Sequence, residues 1–234
     1  MYRNQQDEFA IMEKFMDEFA SLNFLYRAKK FDEEIRDFKV NHPFATIINL
    51  GCGLDTSDLR IADNNLKWFQ IDLPSSIVFR EKLIFPTVNS KNIAKSIFDY
   101  NWFDDVEFNR EKGVLILAAG LFNYFQEDDL KDLCDKLANY FTGGTLLFDA
   151  PSKLLKIILD RKYKKLGVEG VDHEFGLGSP KIVLKWSDKI KKMSCTIFFK
   201  GVGLNPRWKK RIRFLMRLFA TFKFYKFIKL IFEG

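Results

Sequence analysis

Thr46 to Asp55, TIINLGCGLD, is a short β-branched run that breaks into Gly51-Cys52-Gly53, and the next apolar run, KWFQID, ends on Asp72. This reads as a buried strand entering a tight, glycine-lined turn. Neither Gly51 nor Gly53 carries a Cβ, so the backbone can take unusual angles and let a ligand approach closely. Asp72 lies 21 residues after Gly51, where the end of a second parallel strand can present a carboxylate to a ribose diol. Together these features point to a nucleoside-bearing cofactor, although a structural turn accounts for an isolated GxG about equally well.

Outward from that turn the pattern alternates between strands and helices. Residues 5–39 carry apolar positions at helical spacing without Gly or Pro, and predict two helices with a break near Ser21–Asn23. Residues 45–50 predict the first strand. Lys67–Ile71 predicts the second, and Pro74 opens a helix running to Leu83. Residues 91–98 suggest a short third strand. Val114–Ala119 is a continuous apolar run of the kind a central parallel strand needs when both its faces are covered. Gln126–Phe141 predicts an amphipathic helix ended by Gly143-Gly144, and Thr145–Ala150 another buried strand. Strands alternating with helices predict an α/β sheet with right-handed crossovers. After Pro151 a basic helix (Lys153–Leu166), a Gly-rich stretch, strand segments near Lys181–Lys185 and Ser194–Lys200, and a long helix or broken pair over Arg207–Ile231 are expected.

The 234 residues suit one domain, and 47% hydrophobic content with 26 Phe is ample for a packed core. Residues 1–44 read as a helical cap, 45–150 as the cofactor-binding core, and 151–234 as a basic part completing the sheet and an acceptor pocket. The polar, acidic start is not a secretory signal, and no run of about 18 apolar residues suggests a membrane span. Three scattered cysteines, Cys52, Cys134 and Cys195, fit reduced thiols of a cytoplasmic protein, and two histidines leave little for a metal centre. The net charge of +7 divides into −8 over residues 1–150 and +15 over 151–234. Such a tail can meet an anionic surface or be a solvated face; as a basic amphipathic helix it suggests weak contact with a membrane surface. No RNA-binding module accompanies it, which argues against a nucleic-acid partner. Nothing fixes the oligomeric state.

Several segments in order resemble one family of class I S-adenosylmethionine-dependent methyltransferases, that of the leucine carboxyl methyltransferases and the polyketide-tailoring O-methyltransferases. They are YRAKKFDEEIRDF (26–38), IINLGCGLDTSDLRI (47–61), WFQIDLPSSIVFREKL (68–83), SIFDYNWFDDV (96–106), LILAAGLFNYFQEDDLKDL (115–133) and GTLLFDAPS (144–152). FGLGSPKIVLKW (175–186) and the basic tail are similar to the polyketide-type members. The resemblance implies a Rossmann-like, mostly parallel seven-stranded sheet with helices on both faces, and a small-molecule acceptor. It also implies that Arg27 pairs with the carboxylate of the cofactor's methionine part, for which a planar guanidinium is suited. Gly51 and Gly53 would let the backbone pass close to that moiety, Asp72 would hold the ribose hydroxyls, and Ser96 and Ile97 would sit at the adenine. Ala119 departs from relatives that carry Glu there, which removes one charge-assisted contact of about 1.5–3 kcal/mol if buried.

Without the resemblance the same residues have plainer readings. Arg27 on a polar helix is a surface charge, and Asp72 before Leu-Pro caps a helix. Asp55 and Arg60 read as a structural pair under the glycine loop, and Cys52 as a small buried filler. Tyr124 and His173 read as local hydrogen-bonding groups. Phe175, Trp186, Phe198, Phe199 and Trp208 are candidates for an acceptor pocket, with core packing as the default. A carboxylate acceptor is already ionised at neutral pH, whereas a phenol needs a base or local positive charge. The lack of a His beside the glycine loop or the LAAGLFNYF strand therefore favours a carboxylate or an acidic hydroxyl. Two other functions compete: a catalytically silent binding protein, suggested by Ala119, and a nicotinamide-dependent oxidoreductase, against which Thr56 stands where a third glycine belongs.

Overall fold

A computed structural model of the protein describes residues 18–165 and 173–234. Its frame is a seven-stranded sheet of β1 (Thr46–Leu50), β2 (Lys67–Asp72), β3 (Ser90–Ala94), β4 (Val114–Ala118), β5 (Thr145–Pro151), β6 (Ile190–Ile197) and β7 (Tyr225–Phe232). The spatial order is β3-β2-β1-β4-β5-β7-β6. β1 to β5 are mutually parallel, and β7 runs antiparallel to both its neighbours.

Central strands are apolar on both faces because both faces are covered. Ile48, Leu50, Ile116, Ala118, Leu146 and Phe148 pack with α4 (Glu127–Tyr140) through Leu130, Leu133, Cys134 and Leu137. The alternate residues Ile47, Leu115, Leu117 and Leu147 pack with α1 (Glu18–Asn41) through Phe31 and Ile35, and with α6 (Lys210–Thr221) through Ile212 and Met216. The period of two along each strand thus sorts every second side chain to one layer. The remaining helices, α2 (Ser57–Ile61), α3 (Pro74–Leu83) and α5 (Lys153–Lys165), follow β1, β2 and β5.

Four expectations need correction. Residues 18–41 form one helix, with no break at Ser21–Asn23, and the Asn23 side chain donates to the Phe19 carbonyl four residues back at 2.6 Å within it. Residues 5–17 lie outside the described part, as does Leu166 at the end of α5. The segment Lys181–Lys185 is not a strand but a 3₁₀ turn, Pro180–Lys185, opened by Pro180 and burying only Val183. The long C-terminal helix is instead α6 followed by β7. Lys223 takes a positive φ of 52° and turns the chain, after which YKFIKLIF alternates between the two layers of the core. The segment near Ser194–Lys200 is a strand set further back, at Ile190–Ile197, and Phe199 leaves it with φ 60°.

Among the described residues no helix is long and apolar enough to cross a membrane. Phe175, Trp186, Phe198 and Phe199 are all buried, so these four aromatics are core packing.

Candidate functional site

Parallel strands leave their C-terminal ends and the turns that follow on one rim of the sheet, the usual place for ligands in α/β proteins. That rim carries Gly51 after β1, Asp72 closing β2, Ser96 and Ile97 beyond β3, Gly120 and Leu121 beyond β4, and Asp149 late in β5. β7 runs the other way, so its first residue, Tyr225, stands opposite Pro151 and reaches the same rim. α1 adds Arg27.

The glycine turn is built on left-handed backbone, with φ 59° at Gly51 and 45° at Gly53. Its two glycines differ in surroundings. Among the described residues a Cβ at Gly53 would meet nothing within 4 Å, whereas one at Gly51 would lie 2.5 Å from Leu121 Cδ1. Leu121 therefore covers the Cβ side of Gly51, and among the described residues the Cβ side of Gly53 is open. The Gly53 amide donates to Asp72 Oδ2 and the Leu73 amide to Asp72 Oδ1, both at 2.7 Å. Asp72 is thus not the cap of α3, whose N-cap is Leu73 with no side-chain bond. Each of its oxygens keeps a lone pair beyond these bonds, so the carboxylate can still accept from hydroxyls.

Under the turn, Asp55 and Arg60 do form the structural pair that the sequence suggested, at 3.1 Å. Asn49 and Ser57 also donate to Asp55, at 3.0 and 2.6 Å. Arg60 forks onto Asp32 of α1 at 2.8 and 2.9 Å, which fastens the helix carrying Arg27 to the glycine loop. Arg80 Nη1 donates to the Gly53 and Asp55 carbonyls at 3.0 and 2.6 Å. Cys52 is buried in the turn and burial pushes its thiol up to about 12, the behaviour of a filler and not a nucleophile.

Arg27 is half-buried and not isolated. Its Nε donates to Asp149 Oδ2 at 2.6 Å and its Nη2 to the Tyr225 hydroxyl at 3.0 Å. Asp149 Oδ1 accepts the Gly120 amide at 2.6 Å. A Cβ at Gly120 would fall 2.8 Å from Arg27 Nη1, so the guanidinium lies directly on the β4 turn. Burial works against the Arg27 charge, but Asp149 and Tyr225 together outweigh it and the pKa is raised. Contacts therefore run without a break from Arg27 to Gly120, through the adjacent Leu121 to Gly51, and on through Gly53 to Asp72.

Ser96 and Ile97 follow β3, whose last residue Ala94 is in register with Asp72. Ser96 is half-buried and its Oγ accepts the Phe98 amide at 3.3 Å. Ile97 is buried in the core, and its carbonyl accepts the Trp102 indole N–H at 3.0 Å. Any contact Ile97 makes with a ligand is through the little it leaves exposed.

His173 is bound locally, as its sequence reading holds: its Nδ1 lies 3.2 Å from Asp160 Oδ1. Yet its ring stacks on Tyr124 with centroids 6.0 Å apart, so a histidine does stand beside the LAAGLFNYF segment. The preference for a carboxylate acceptor, drawn from the lack of such a histidine, falls with that contact. Asp149, Tyr225, Arg80 and Asp32 were not singled out from the sequence. Only Asp149 carried a signal, a charged group inside an otherwise apolar run, TLLFDAP; Asp32 and Arg80 stand among other charges.

An open cavity of about 400 Å³ lies at the opposite end of the sheet, among Asp37, Asn41, His42, Thr145 and Lys229. The strand ends there are N-terminal, the end that α/β sheets do not use for ligands.

The strand order with a reversed β7, and a glycine turn after β1, define the class I methyltransferase fold. Solved structures share it. The plantazolicin methyltransferase BamL, in complex with a triazolic desmethylPZN analog and SAH, superposes with a TM-score of 0.59 at 11% identity over 94% of this chain and 92% of that one. Human N-acetylserotonin methyltransferase in complex with SAM gives 0.53 at 11% identity, over 81% and 48%. Residues 3–138 match the leucine carboxyl methyltransferase family model, and the chain belongs to that family, whose cofactor is S-adenosylmethionine. The tetracenomycin polyketide synthesis O-methyltransferase TcmP of Streptomyces glaucescens is 30% identical over 158 residues, 67% of this chain and 57% of that protein. The S-adenosyl-L-methionine-dependent methyltransferase dpfgK of Gibberella zeae is 26% identical over 150 residues, 59% and 50%. The chain thus matches about half the length of these curated relatives.

The donor set fits that cofactor's chemistry. Arg27 Nη1 donates to none of the described residues, Gly53 is open on one face, and Asp72 retains acceptor capacity. Leu121 lies against Gly51 on its Cβ side.

Proposed function

We propose that this chain is an S-adenosylmethionine-dependent O-methyltransferase, working as one cytoplasmic domain on a small-molecule carboxylate or hydroxyl of the organic-acid or polyketide kind. The observation that carries the reading is the unbroken run of contacts from Arg27 through Gly120, Leu121 and Gly51 to Gly53 and Asp72, along the C-terminal rim of the sheet of a leucine carboxyl methyltransferase family member. TcmP, by its name an O-methyltransferase of polyketide synthesis, supports the acceptor class.

In this reading Arg27 holds the carboxylate of the methionine part, and the turn at Gly51–Gly53 brings backbone amides close to that moiety. Asp72 accepts from the ribose diol, and Ser96 and Ile97 border the adenine. The bound cofactor supplies an electrophilic methyl on a sulfonium. The protein's own work is alignment of the acceptor with that methyl and exclusion of water, since an in-line displacement gains from a fixed approach. No base is needed for a carboxylate. For a hydroxyl, the Asp160–His173 pair beside Tyr124 is the group from which proton removal can be sought.

Calorimetry with S-adenosylhomocysteine tests the site, and transfer from labelled S-adenosylmethionine to a panel of carboxylic acids and phenols tests the reaction. Saturable binding and a labelled ester or ether are expected. Wild-type protein that neither binds nor is heat-stabilised by S-adenosylhomocysteine overturns the reading. A silent binding protein is the second reading, favoured by Leu121 lying against Gly51 and by Ala119. Any turnover removes it.

A further inference from the structure

We infer that Asp149 and Tyr225 are positioning residues that hold Arg27 with its Nη1 edge turned to the β4 turn, and so set where the cofactor's carboxylate is received. The inference rests on the reading of the site given above. It comes from how the guanidinium's five N–H donors are shared out. Nε is committed to Asp149 and one Nη2 hydrogen to the Tyr225 hydroxyl, while Nη1 lies over the Cα of Gly120 without a bond to any described residue. A planar fork held on two sides has little freedom left about its last side-chain torsions, so the remaining donors point one way before a ligand arrives.

Asp149 is suited to this because it is itself fixed. It is fully buried, and its second oxygen takes the Gly120 amide at 2.6 Å. One carboxylate thereby sets the distance between α1 and the turn after β4, the two elements whose contact completes the rim. Tyr225 closes the other side. Burial, and then the charge of Asp149, raise its pKa, so it stays a neutral phenol that accepts from Arg27 through its oxygen. Gly120 completes the arrangement, since its φ of 65° and the 2.8 Å approach of Nη1 both exclude a larger residue. Arg27 also lies 5.5 Å from the centroids of the Phe24 and Tyr225 rings, so two aromatic rings flank the guanidinium.

The test separates orientation from general damage by using two ligands. S-Adenosylhomocysteine carries the amino-acid carboxylate; 5′-methylthioadenosine carries the same nucleoside and thioether without it. Calorimetry on wild type, Asp149→Asn and Tyr225→Phe, each checked for a cooperative melt, gives the affinities. We expect Asp149→Asn to weaken S-adenosylhomocysteine about 10- to 100-fold, as loss of the ionic partner of Arg27, and Tyr225→Phe about 2- to 10-fold, as loss of a single neutral acceptor. Methylthioadenosine should keep its affinity within about twofold in both, since it lacks the group that Arg27 receives. Equal losses for the two ligands, or S-adenosylhomocysteine binding unchanged in both variants, overturn the inference while leaving the site reading intact. Tyr225→Phe removes one oxygen only, and it carries the test if Asp149→Asn does not fold. Wild type that binds neither ligand overturns the site reading and this inference with it.

Discussion

Arg80 is 2% exposed and lies beneath the glycine turn, with Asp58 3.8 Å from its Nη2. Neither Asp58 oxygen has a hydrogen-bond partner among the described residues, so Arg80 is the charge that compensates it. Removing one member of a buried pair leaves the other uncompensated, at a cost of about 3–5 kcal/mol. Arg80→Met should lower the unfolding free energy obtained from urea denaturation by that amount, and should also loosen the Gly53 and Asp55 carbonyls that Arg80 holds. A loss under about 1 kcal/mol would show that Asp58 does not depend on it. A second residue-scale expectation concerns pH. Burial works to raise the Asp160 pKa, but the hydrogen bonds from Lys156 and from the His173 backbone and ring outweigh it, and the net shift is downward. A depressed carboxylate pKa stabilises the fold above its unfolded value of about 3.9, and the contribution is lost as pH falls through the folded value. Wild type should therefore melt above Asp160→Asn at pH 7, with the gap closing below about pH 4. A gap that persists undiminished into acid contradicts the assignment. At this scale the sequence alone could weigh Asp72 from its spacing to Gly51. It gave Arg27 weight only through a family resemblance, because an arginine on a polar helix looks the same whether it faces solvent or a buried Asp149 from 122 residues away.

The element most exposed to local geometry is the turn after β1. Gly51→Ala and Gly53→Ala both force a Cβ into left-handed backbone, at about 1–2 kcal/mol each. They differ in what the methyl meets. At Gly51 it falls 2.5 Å from Leu121 Cδ1, and at Gly53 it meets none of the described residues within 4 Å. Gly51→Ala should be the more destabilising, and in a Leu121→Ala background the difference should vanish, a coupling that a double-mutant cycle on denaturation midpoints reads directly. Equal costs in both backgrounds would mean that Leu121 does not sit where it is placed. Elements with one dominant signal were readable in advance. β1, β4 and β5 are short, wholly buried apolar runs, and Pro74 marks the start of α3. The misread elements carry mixed signals. Tyr225–Phe232 is apolar at both odd and even positions with two lysines among them, which fits a buried strand and a basic helix equally well. Only its two neighbours decide, since Lys226 is buried with Nζ on the Leu177 carbonyl and Lys229 pairs with Glu34.

Across the whole molecule the charge asymmetry divides differently from the way its sequence suggests. The basic tail is an amphipathic helix on one layer of the core and then a strand inside the sheet. β7 pairs with β5 from Tyr225 to Ile231 and with β6 from Lys226 to Phe232, so it is the only link between β6 and the parallel part among the described strands. Deleting residues 224–234 would unpair β6, expose the full edge of β5, and remove Phe227, Ile228, Leu230 and Phe232 from both core layers. Burial of such side chains is worth about 1.5–3 kcal/mol each, so four, at about 6–12 kcal/mol, are as large as a typical total stability of roughly 5–15 kcal/mol before the lost strand pairing is counted. The truncated chain should show no cooperative thermal transition by circular dichroism. Replacing the exposed Lys210, Arg211 and Arg217 of α6 by Gln should shift the melting temperature little, since surface substitutions away from packed features stay within about 0.5 kcal/mol. A truncated chain that still melts cooperatively near the wild-type temperature would show that the C-terminal segment is an appendage and not the seventh strand.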